Sequence, residues 1–82
     1  MIQTLMKKVP EGKTLQQFIK EVEARLPEYS DGAEGAEVIV VTPENFNDLW
    51  NGQENLKKEP EIEAKYRKLA AEQRVIAVEI DW

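Results

Sequence analysis

Val38-Ile39-Val40-Val41-Thr42-Pro43-Glu44 is the stretch on which the fold turns. Its first four residues form an unbroken β-branched run, apolar on both faces. That pattern suits a strand buried on both sides or lying centrally in its sheet. The next three residues are a helix start. Thr42 serves as N-cap, Pro43 takes the first helical position, and Glu44 puts an acid where the helix dipole favours it. A strand that feeds directly into a helix sets the α/β pattern. The helix predicted over 43–50 groups Phe46, Leu49 and Trp50 on one side, and Gly52 caps its end. Glu44 and Asp48 share another of its faces.

Working outward towards the N-terminus, residues 28–36 read as a loop built on Ser30, Asp31, Gly32 and Gly35. Before it, Thr14 and Gln17 make a capping box. Leu15, Phe18, Ile19, Val22 and Leu26 follow at helical spacing, with a Glu21–Arg25 pair on the outer face. Pro27 is expected to end that helix. Residues 2–9 read as an edge strand, with Lys7 and Lys8 discouraging edge-to-edge pairing. Towards the C-terminus, Pro60 starts a helix running to about Gln73. Ile62, Tyr66, Leu69 and Ala70 form its inner face, and Glu61–Lys65 and Glu63–Arg67 pairs its outer one. Val75-Ile76-Ala77-Val78-Glu79-Ile80 is the last strand. The predicted order is β-α-β-α-α-β: a small α/β domain, bordering on α+β, spanning residues 1–82, with helices packed on one three-stranded sheet. A right-handed crossover would set strands one and two parallel.

Composition narrows the chemistry. The 82 residues contain neither histidine nor cysteine. The commonest general acid–base group is therefore absent, and so are thiolate nucleophiles, disulfides and thiolate zinc sites. Ser30 is the only serine, and it lacks a histidine partner and a glycine-flanked elbow. Gly32-Ala33-Glu34-Gly35 leads into a strand and carries an acid, unlike a phosphate-binding loop. Two carboxylate pairs remain for metal binding or acid–base work, Glu44 with Asp48 and Glu79 with Asp81. The reading expects no catalytic residue, metal site or cofactor, and keeps a carboxylate enzyme or enzyme subunit as a third class. No run approaches the length of a membrane span. The start has no charged region leading into an apolar one, so no secretory leader is expected. A cytoplasmic location follows as the expectation.

The net charge of −5 is unevenly spread. No basic residue lies between Arg25 and Lys57, an interval holding seven acids: Glu28, Asp31, Glu34, Glu37, Glu44, Asp48 and Glu54. The rest of the chain has nine acids against eleven bases. Direct binding to nucleic acid or an anionic membrane is not expected of such a surface. Acids interleaved with aromatics suit a protein-binding surface, where Trp50 could anchor and the acids steer a basic partner. The expected site is Glu28, Asp31, Glu34, Glu37, Glu44, Asp48 and Trp50, in a small adaptor or inhibitor, monomeric or a weak homodimer. The alternative is a nucleic-acid mimic that blocks a DNA- or RNA-binding enzyme. In size and charge the chain resembles small acidic bacteriophage proteins that disable host machinery.

Overall fold

A computed structural model describes residues 1–82. The elements are β1 (Ile2–Lys8), α1 (Leu15–Ala24), α2 (Leu26–Tyr29), β2 (Gly35–Val40), α3 (Phe46–Gly52), α4 (Pro60–Ala71) and β3 (Val75–Asp81). The three strands form one sheet in the order β1-β3-β2, antiparallel at both pairings. β1 and β2 therefore run parallel, as expected, but the last strand of the chain lies between them.

That insertion corrects the position expected for Val38–Val41. β2 is an edge strand, and Val38, Ile39 and Val40 are only half-buried. The central strand is β3, whose residues Val75, Ile76, Ala77 and Val78 are all fully buried. Both strands are apolar on two faces because helices cover both faces of the sheet. Only β3 also has a strand on each side.

The two cores follow from strand alternation. On one face Ile76, Val78 and Ile80 meet Val22, Phe18 and Ile19 of α1 and Leu26 of α2, so the predicted stripe packs on the sheet although the helix breaks before its last member. On the other, Met6, Val75 and Ala77 meet Phe46, Leu49 and Trp50 of α3, with Ala70, Tyr66 and Leu69 of α4. The sheet is the middle of three layers.

Helix starts are set locally. Both bonds of the Thr14–Gln17 capping box form, at 2.9 and 3.1 Å. Thr42 and Asn45 make the same reciprocal exchange, Thr42 N–H to Asn45 Oδ1 at 2.7 Å and Asn45 N–H to Thr42 Oγ1 at 3.3 Å. The start signal at Thr42 thus closes a turn, and the α-helix follows at Phe46, so Glu44 lies outside the helix that holds Asp48. Pro27 does not simply stop α1. It sits in the first turn of the short α2, where its missing N–H has no helical partner to lose. Outside the cores, Arg67 pairs with Glu63 as expected, at 2.9 Å. Glu21 and Arg25 instead pair with Lys13 and Glu28, at 2.6 and 3.1 Å. No helix is long and apolar enough to cross a membrane.

Candidate protein-binding surface

Trp50 is buried, with 3% of its surface exposed. Its ring stacks on Phe46 at 5.7 Å and tilts against Tyr66 at 6.3 Å. The anchor expected at the surface is a core residue, because α3 turns its apolar side onto the sheet. The Arg67 guanidinium lies over the Phe46 ring at 4.6 Å, closing that core from outside. Trp82 is the exposed tryptophan, and its indole N–H donates to Gln3 Oε1 at 3.0 Å.

The acids are all exposed: Glu28, Asp31, Glu34, Glu37, Glu44 and Asp48. They do not form one face. Glu28 is engaged by Arg25, whose pKa is raised by that hydrogen bond and by the carboxylate's charge. Glu44 and Asp48 lie past the C-terminal end of β2, in the turn and in α3. Glu34 and Glu37 belong to its N-terminal end.

There the sheet supplies two more acids. The register sets Glu37 opposite Glu79 and Gly35 opposite Asp81, and the Glu34 N–H donates to the Asp81 carbonyl at 2.7 Å. Glu37, Glu79 and Asp81 share the face that carries Val75 and Ala77. The α3–α4 layer covers Val75 and Ala77 but leaves Glu79 half-buried and Asp81 exposed. A shallow cleft of about 330 Å³ results, lined by Ile2, Gly35, Ala36, Glu37, Glu79 and Asp81. Glu34, Glu37 and Glu79 have no ion-pair partner, and Asp81 lies 3.8 Å from the Met1 amino group. These carboxylates do not converge into a group that could hold a metal ion. The sequence places Glu79 and Asp81 on one strand face, but their approach to Glu37 needs the register, which a single strand does not encode.

The two edges of the sheet differ. At β1 the connection between α3 and α4 closes the edge. Asn55 Oδ1 accepts from the Met6 N–H at 2.9 Å, Asn55 Nδ2 donates to the Met6 carbonyl at 2.8 Å, and the Glu54 N–H donates to the Thr4 carbonyl at 3.0 Å. One asparagine amide thus stands in for a neighbouring strand. The buried Gln53 fixes this segment by bonding the Leu56 N–H and carbonyl, at 2.7 and 2.9 Å. At β2 nothing equivalent occurs. The Val41 N–H donates to the Val75 carbonyl at 3.1 Å, so odd-numbered residues face β3. Alternation then turns the N–H and C=O groups of Ala36, Val38 and Val40 outward. Of these, the Val40 carbonyl is taken by Asn45 Nδ2 at 3.1 Å. Edges are commonly guarded by lysine or proline; β2 has neither.

No known protein family, characterised protein or solved structure matches this chain.

Proposed function

We propose that the protein is a small binding module, an adaptor or inhibitor, that engages a basic surface of a partner protein. The observation that carries this reading is the gathering of Glu34, Glu37, Glu79 and Asp81 at one end of the sheet. Like charges set directly opposite across a strand pair oppose folding. Unpaired charges of one sign around a cleft steer a complementary partner and favour its docking. The acids of this site are therefore Glu34, Glu37, Glu79 and Asp81, with Asp31 nearby in sequence. Trp50, a core residue, is not part of this site. Mimicry of nucleic acid draws no equal support, since the acids divide between the two ends of β2 and do not form a continuous phosphate-like row.

Affinity capture from cell extract, with the full chain as bait, tests the reading. The control bait carries Glu34→Lys, Glu37→Lys and Glu79→Lys together. A binding module of this kind retains one or a few proteins with basic faces at low salt, and the control bait releases them. Equal retention by both baits would reject the site. Displacement of the retained proteins by duplex DNA would favour mimicry instead.

A further inference from the structure

Resting on that reading, we infer that the partner binds by adding a strand to β2: an extended segment alternating basic and small apolar residues, seated along the open edge.

Three observations lead there. First, the sheet has two edges and the fold closes one. Asn55 and Glu54 satisfy the outward groups of Met6 and Thr4. The outward groups of Ala36 and Val38 are left to water, on a strand whose residues Val38, Ile39 and Val40 are half-buried and β-branched. An edge of that kind is a template for an incoming strand, which gains main-chain hydrogen bonds from it.

Second, the two faces beside that edge differ, and together they specify the alternation. On the α1 face an added strand would lie beside Ala36, Val38 and Val40, continuing the apolar surface that includes Tyr29 and Ala33. On the opposite face it would lie beside Glu37, with Glu79 one strand further in. The residue opposite Glu37 would occupy a non-hydrogen-bonded position, where side chains approach most closely. A lysine or arginine there would meet two carboxylates.

Third, charge selects against a second copy of this chain. Antiparallel pairing of β2 with itself about Glu37 would satisfy the same outward groups of Ala36 and Val38. It would also set the two Glu37 side chains directly opposite each other with each copy's Glu79 one strand further in, a row of four carboxylates with no base among them; a pairing centred on Val38 sets each Glu37 against the other copy's Ile39, equally without a base. A basic strand relieves the Glu37–Glu79 repulsion; a second copy doubles it.

The test uses the full chain and two synthetic peptides of identical composition. One alternates lysine with valine and threonine. The other groups the lysines at one end. Binding is measured at low salt by titration calorimetry, and amide exchange of β2 is followed by NMR. Strand addition predicts that the alternating peptide binds more tightly and slows exchange at Ala36 and Val38, which exchange freely in the unbound protein. Ala36→Pro removes an outward N–H that β3 does not use, so the sheet persists while the added strand loses a bond. It is expected to weaken the alternating peptide about tenfold, as is Glu37→Lys, which leaves the backbone untouched. If both peptides bind equally, with unchanged exchange at Ala36 and Val38, strand addition is overturned while the acidic surface stands. If neither binds, both readings fall. Protection of Ala36 and Val38 without peptide, with a dimer in sedimentation, would assign the edge to a second copy and overturn the proposal.

Discussion

Glu37→Lys should make the isolated protein more stable, although Glu37 lies at the centre of the proposed site. Glu37 and Glu79 are direct cross-strand partners, and neither has a basic neighbour within ion-pair distance. With Cβ atoms about 5.5 Å apart, two unit charges in water interact by roughly 0.7 kcal/mol. Glu37 is exposed, so solvent screening reduces this to about 0.5 kcal/mol. Lysine removes that repulsion and replaces it with an attraction of similar size, a swing of about 1 kcal/mol. For a domain of this size that raises Tm by about 4–8 °C. Glu37→Gln removes the repulsion only and should give about half the gain. Thermal melts by circular dichroism at low salt measure both. Repeating them near 1 M salt, where the Debye length is about 3 Å, should erase most of the difference. If neither variant melts higher than the parent at low salt, the two carboxylates are not opposed as described. Combined with weaker partner binding, the gain would mark Glu37 as a residue kept for recognition at the expense of stability.

Other substitutions probe the elements that frame the surface. Asn55→Ala strands the Met6 N–H and carbonyl; it should cost about 2 kcal/mol and lower Tm by about 8–16 °C, and sedimentation should show self-association through the uncovered β1 edge. Trp50→Ala should cost about 3–5 kcal/mol, as much as the whole margin expected of so small a core, and collapse the dispersion of the amide NMR spectrum; a well-folded variant that had lost only partner binding would return Trp50 to the surface. Thr14→Ala should cost about 1 kcal/mol in urea unfolding by removing the cap of α1, and an unchanged midpoint would mean that the capping box does not form in solution.

Local signals were legible wherever one element decides the outcome. The Thr14–Gln17 box and the Leu15-to-Leu26 stripe place α1 because capping and periodicity act within a few turns. The Thr42 signal closes a turn and does not cap α3: its reciprocal bonds to Asn45 form, but the α-helix begins at Phe46 with Asn45 as its N-cap. Pro27 misled for a related reason: a proline that stops one helix is also well placed to begin another. Trp50 was expected at the surface because acids and aromatics interleave around it, although its spacing with Phe46 and Leu49 also suits a face turned to the core. Its burial required Tyr66 of α4 to arrive beneath it.

The sequence by itself determined the kinds and order of the elements, the lack of histidine and cysteine chemistry, and the concentration of negative charge between Arg25 and Lys57. Only the tertiary structure decided which apolar run lies at the centre of the sheet. Val38–Val41 and Val75–Val78 differ only by Val40 against Ala77, and strand order depends on pairings between residues far apart in the chain, which no local pattern encodes. That order has two consequences for the surface. It brings Glu79 and Asp81, from outside the acidic interval, against Glu37 and Gly35, and it leaves β2 as the edge that Asn55 does not reach.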